Sequence, residues 1–277
     1  MELGQLYRAA TSDLAVAQRD YADHDVAVFL NQLVARSHAT VYRSAPYTSR
    51  RVLNFLIVGL PRLYRESAPF MLASFLLLTL PALIAGVATA SSPTVATWLG
   101  LGSEATIMQN GQLWTDIPIA LRPGASSFIM QNNIRVSFVA FVGGLPFGLL
   151  TVYVMLLNGL RLGGVLGLAA HYGLAGELAT FIVGHSVIEL SVVFIAGGCG
   201  LMLGYALLRP GLLRRRDALV IVARKAARLL AFCVPLLVGA GLIEAFLSPS
   251  TLPAAVKWSI GLTSGAALHA YLWLASR

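Results

Sequence analysis

Charge is scarce in this chain. Asp, Glu, Lys and Arg make up 12% of its 277 residues, against ~25% in soluble domains. Together with 57% apolar residues and a mean hydropathy of +0.75, that scarcity excludes a water-soluble globule. Catalytic and nucleotide-binding signatures are missing too. There is no GxxxxGK[ST], and the glycine clusters lack the strand–loop–helix setting of a dinucleotide fold. Neither HExxH nor GxSxG occurs. The two cysteines, Cys199 and Cys233, lie inside apolar runs without CxxC spacing. They read as small buried hydrophobes, and a structural disulfide is not expected. The opening MELGQLYRAATSDLAV lacks a basic segment followed by an apolar one, so no cleavable signal is expected and the first spanning helix directs insertion.

What is present is a series of apolar runs near the ~20 residues a bilayer-crossing helix needs. They cover Ala68–Thr89, Ile134–Leu157, Leu162–Gly176, Leu178–Leu208, Leu229–Leu247 and Val256–Leu274. The expected fold is all-α: a polytopic membrane protein of six transmembrane helices. Residues 1–49 precede them as a helical hairpin, with apolar stripes Leu3, Leu6, Tyr7, Ala10, Leu14 and Val26, Phe29, Leu30, Leu33, Val34, Val41. Asp23 or Asp25 is positioned to cap the second hairpin helix, and Pro46 to end it. Residues 50–66 read as an interfacial elbow helix, because the run Val52–Leu60 is flanked by Arg50, Arg51, Arg62 and Arg65 and broken by Pro61. Residues 67–277 form the membrane domain, including an excursion at 90–132 that carries Trp98 and Trp114.

With six crossings and a cytoplasmic N-terminus, 17 Lys and Arg fall inside and three, Arg122, Arg135 and Lys257, outside. This asymmetry predicts a multi-pass protein of the cytoplasmic membrane with both termini inside. It places Arg161 in an inside turn after Asn158-Gly159 and makes Leu162–Gly176 a short crossing. The net charge of +8 then reflects orientation and contact with an anionic lipid bilayer, not nucleic acid. Small-residue spacings at Gly163, Gly167, Gly200 and Gly204 predict close helix packing, and Gly197 and Gly198 mark where the long fourth span either tilts or breaks.

His185 and Glu189 stand one helical turn apart inside that fourth span. A carboxylate near the bilayer centre costs roughly 2.5–3.5 kcal/mol on insertion scales, so such a group is expected to be paired or functional. Glu244, His269, Asn132, Asn133 and Arg135 fall at comparable outer depths, as do His171 and Glu177, and a polar cavity open to the outside is the natural expectation. Three uses compete. His185 and Glu189, with Glu244 or His269, suit a metal such as zinc. The same groups suit proton relay or cation binding in transport. Or His185, Glu189 and Glu244 bond one another or Arg135 and lock the helices together. His24 and His38 read as solvated hairpin residues. No catalytic residue and no cofactor is assigned.

Three passages resemble the stage II sporulation protein M (SpoIIM) family: NNIRVSFVAFVGGLPFG, HSVIELSVVFIAGGCGLMLGYALLRPG and VPLLVGAGLIEAFLSP. The N-terminal LYRAATSDLAVAQRD and LNQLVARSHATVY fit as well. The resemblance implies a multi-pass scaffold, in bacteria or archaea, that organises other membrane or envelope proteins; a homodimer is expected as one form of this chain. The family's recurrent residues map here onto Asn133, Arg135, His185, Glu189 and Glu244, with no catalytic role implied. A transporter or channel with an outer polar cavity is the alternative, and an intramembrane metalloenzyme the second alternative.

Overall fold

The computed structural model describes residues 2–22, 24–41, 49–113 and 122–275. The described chain is all-α, 85% helical and without strands. It divides into two compact units, Met1–Leu53 and Asn54–Arg277. In the first, α1 (Glu2–Asp20) and α2 (Asp25–Val41) pack on each other through Leu14, Ala17 and Ala27. The Val26 amide donates to His24 Nδ1 at 3.2 Å, so His24 acts at the helix start. The expected cap Asp23 and stop Pro46 lie outside the described residues, as does Trp114.

The elbow reads along the chain as three short helical pieces: α3 (Ser49–Asn54), a π-helical turn Phe55–Gly59 and α4 (Leu60–Glu66). Pro61 sits in the first turn of α4, where its missing N–H costs nothing, so it starts a helix. Arg65 donates to the Ala275 carbonyl at 2.9 Å, satisfying the orphan C-terminus of the last helix, α12 (Ala254–Leu274).

Among the described residues four helices, not six, are long and apolar enough to cross a membrane: α5 (Ala68–Ser91), α9 (Leu149–His171), α10 (Ala175–Leu208) and α11 (Arg215–Phe246). Between α5 and α9 lie α6 (Val95–Trp98), α7 (Gly102–Gln109) and α8 (Arg122–Val142). Three of the six expected spans do not stand as separate crossings, each for a physical reason. The apolar run Ile134–Leu157 is not one helix, because Gly143–Gly148 interrupts it between α8 and α9. In that break Pro146 lacks an amide proton, while Phe147 (φ 56) and Gly148 (φ 82) are left-handed. Thr151 ties the turn by donating to the Ala140 carbonyl at 2.7 Å. The expected sixth span is helical as α12, but Lys257, Ser259, Thr263, Ser264 and His269 dilute its apolar character. Phe147→Gly removes a side chain from left-handed backbone, where non-glycine residues cost ~1 kcal/mol. Because Phe147 is 48% exposed and gives up little packing, the variant is expected to melt higher than wild type in detergent.

Asn158-Gly159-Leu160-Arg161 is not a turn but the middle of α9. The Asn158 amide donates to the Val154 carbonyl of its own helix at 2.8 Å, and Gly159 is buried against Leu78 of α5. Leu162–Gly176 is therefore no separate crossing.

The hub is α10. It is apolar over most of its surface, most of it is buried, and α5, α8, α9, α11 and α12 all pack against it. Much less of α5, α9 and α11 is buried, as expected of helices with one face toward lipid. It runs unbroken for 34 residues through Gly197-Gly198-Cys199-Gly200, ~51 Å at 1.5 Å per residue. Those glycines admit neighbours and do not break the helix. Gly197 and Gly198 take Ser74 and Met71 of α5, while Gly200 and Gly204 take Ala140 and the 143–148 turn. Matching contacts fix the directions: α8 and α12 run with α10, and α5 and α11 run against it.

Candidate functional site

Four helices bring polar side chains to one level of the bundle. His185 and Glu189 project from α10 and are 3% and 5% exposed; Glu244, near the end of α11, is 1% exposed. The ring Nδ1 of His185 lies 2.9 Å from the Ser248 hydroxyl, just beyond α11, and Phe181 meets that ring edge-on. The Ser248 carbonyl in turn accepts from Lys257 Nζ at 2.8 Å, and the Ser250 carbonyl accepts from the same ammonium at 2.8 Å. Lys257 is 8% exposed, so this cation is built into the α11–α12 connection and does not lie in open water.

From α8, Asn133 comes beside the Glu189 carboxyl group. Glu244 lies close enough to Glu189 for the two carboxyl groups to feel each other's charge. Glu189 Oε1 and both carboxylate oxygens of Glu244 are buried with no hydrogen-bond partner among the described residues. The Ser137 hydroxyl, one turn beyond Asn133 on α8, is also buried and unpartnered. A buried polar atom left unpaired costs about 1–3 kcal/mol, and more for a charged group. Partnerless carboxylate oxygens in the centre of an apolar bundle are therefore an expensive feature for a helix lock.

Other residues singled out from the sequence lie elsewhere. Arg135 is exposed on α8. His269 is exposed on α12, its Nε2 3.2 Å from the Ser191 hydroxyl, and so belongs to the α10–α12 contact. His171 holds the Ala90 carbonyl at 2.8 Å where α9 ends beside α5, and Glu177 is exposed at the start of α10. Gly163 and Gly167 face α5. Among the described residues no group of three or more His, Cys, Asp or Glu side chains is arranged to hold a metal ion.

Two participants escape a reading of the sequence. Ser248 is one serine among many, and Lys257 reads as an outside charge at the start of the last expected span until the α11–α12 connection folds around it. The signal available for Ser248 is its spacing of four from Glu244, which would put both on one face only if the helix continued.

A second polar feature lies on the other side of Asn133. A cleft of about 570 Å³ opens between α5, α7, α8, α9 and α10. Asn132, Asn133, Asn158, Arg161 and Glu104 give it polar walls, and Leu78, Val136 and Val193 are among its apolar ones. Arg161, expected in a turn, stands inside α9 with Nη2 3.9 Å from Glu104 Oε1.

A family model described as Stage II sporulation protein M matches residues 70–249, which include α8 to α11 and every residue of the carboxylate site except Ser250 and Lys257. A second model, a domain of unknown function (DUF8413), matches residues 1–43. No curated protein and no solved structure matches the chain. The first match covers well over half of the molecule, and the chain belongs to the stage II sporulation protein M family of helical membrane proteins.

Proposed function

We propose that this protein binds and passes a monovalent cation, the proton included, at the Glu189–Glu244 pair within the cytoplasmic membrane. One observation carries the reading: three carboxylate oxygens lie buried in the bundle with no protein partner among the described residues. Intramembrane carboxylates kept at such cost mark ion paths and proton relays. Asn133 and the His185–Ser248 pair hold the site's shape, and their elements, α8 and the end of α11, are the ones whose shift would open or close it. The basic segment between α10 and α11, Arg209 to Arg228, faces the cytoplasm in this reading, and both termini lie on that side.

The test is flux in proteoliposomes with imposed proton or sodium gradients. Wild type dissipates one of the two faster than empty vesicles, and Glu189→Gln loses most of that rate while eluting as a monodisperse protein. Wild-type vesicles as tight as empty ones to both ions would overturn the reading.

A scaffold for envelope proteins is the second reading, and a separate observation favours it. The N-terminal helical unit leaves Leu6, Val16, Val26, Val28 and Phe29 between 47% and 61% exposed, an apolar surface suited to a partner or a second copy. Cross-linking mass spectrometry on native membranes tests it. A stoichiometric partner captured through that unit supports it, and an absence of any cross-link from it counts against it.

A further inference from the structure

We infer that the cleft between α7, α8 and α9 is a binding site for a zwitterionic group, one that carries an anionic oxygen pair and an ammonium a few ångström apart. The argument begins with Arg161. It lies roughly 18 Å from one end of α9 and 15 Å from the other at 1.5 Å per residue, inside a helix apolar enough to cross a membrane, where an ionisable residue is rare and marks function. Its ion-pair contact is a single approach of 3.9 Å to Glu104, at the outer limit for such a pair. A guanidinium clamped on a carboxylate makes two parallel bonds near ~2.8 Å. This one does not, and its fork of donors remains open toward the cleft.

Glu104 reaches that position because the α6–α7 segment packs back onto the bundle. Leu101 covers Gly164 of α9, and Met108 and Leu113 are buried with Leu168 and Leu174. Glu104 is thus carried on a short helix held by apolar contacts, its side chain 25% exposed and its other carboxylate oxygen accepting from the Ser103 hydroxyl at 2.6 Å. Three carboxamides, Asn132, Asn133 and Asn158, add donors and acceptors between the two charges.

Charge selects the ligand class. An anion would gain Arg161 but meet Glu104, with Glu189 just behind Asn133; a cation would gain Glu104 and meet Arg161. An uncharged solute would add a charged partner to neither. A zwitterion answers both, its anionic oxygens on the Arg161 fork and its ammonium on Glu104. The volume, about 570 Å³, falls within the usual range for small-molecule sites, and the walls from Leu78, Val136 and Val193 suit an apolar tail. Two sources present this chemistry: a free α-amino acid, and a lipid headgroup such as phosphoethanolamine arriving from the bilayer.

The experiment uses the purified full chain in detergent and follows its melting temperature. The probes are L-leucine, lysophosphatidylethanolamine, and two single-charge controls, L-leucinamide and N-acetyl-L-leucine. At least one zwitterion is expected to raise the melting temperature saturably, and the one that does identifies the source. Each single-charge control is expected to bind at least tenfold more weakly. Arg161→Gln and Glu104→Gln are each expected to remove the response, while Glu244→Gln, which does not line the cleft, keeps it. Arg161→Lys retains the charge and loses the fork, so it folds and binds about tenfold more weakly even where Arg161→Gln is poorly made. No saturable response to either zwitterion, equal binding of a single-charge control, or binding that survives both Gln substitutions would overturn the proposal.

Discussion

Glu244→Gln is expected to produce a protein that melts at or above the wild-type temperature and no longer passes the cation. The two halves of that result come from one arrangement. Glu244 is 1% exposed, neither carboxylate oxygen has a hydrogen-bond partner among the described residues, and it feels the charge of a second carboxyl, Glu189. Nothing in that set rewards a negative charge. Replacing the carboxylate by a neutral amide of the same size removes like-charge repulsion and part of a desolvation penalty, a gain of about 1–3 kcal/mol. A residue that held helices together would behave in the opposite way, since breaking a satisfied buried pair costs about 3–5 kcal/mol. Thermal unfolding in detergent therefore separates a working carboxylate from a structural one before any flux is measured.

Gly163→Val is expected to destroy the fold, at a cost of roughly 3 kcal/mol or more. Along α5 and α9, Leu78, Ala82 and Gly86 meet Gly159, Gly163 and Gly167 in step, so these two helices run parallel with backbone against backbone. A Cβ on Gly163 would overlap the carbonyl of Ala82, an atom of a helix backbone that has no rotamer to escape into. The Thr89 hydroxyl closes the same seam by donating to the Gly164 carbonyl at 3.0 Å. The valine forces the helices apart along several turns and exposes that bond, so the variant is expected to aggregate on extraction. Monodisperse elution at the wild-type volume would show that the seam is not what joins α5 to α9.

The parts of this molecule legible from the sequence are those where one residue type has one use. Arg209-Pro210-Gly211 stops α10 where expected, with Gly211 left-handed at φ 64. Likewise, His185, Glu189 and Glu244 are conspicuous as ionisable groups in apolar runs, and all three are buried. What stayed hidden depends on tertiary partners. Asn158-Gly159 has the composition of a turn, yet α5 fills the space beside Gly159 and the helix continues. The reverse holds at Gly143–Gly148, where an apolar stretch that hydropathy reads as helix is a turn pinned by Thr151 and fitted against Gly200 and Gly204. Arg161 moved from a loop to the middle of a helix by the same error, and the cleft it shares with Glu104, 57 positions earlier, has no local signature. The orphaned state of Glu244 is likewise invisible until the neighbours are in place.

The most direct test of the cation reading joins flux and melting temperature on one preparation of Glu244→Gln reconstituted beside wild type. The account predicts that the variant melts no lower than wild type while its proton or sodium flux falls to that of empty vesicles. A variant that melts lower and still passes the ion at the wild-type rate would contradict it, returning Glu244 to the role of a structural residue.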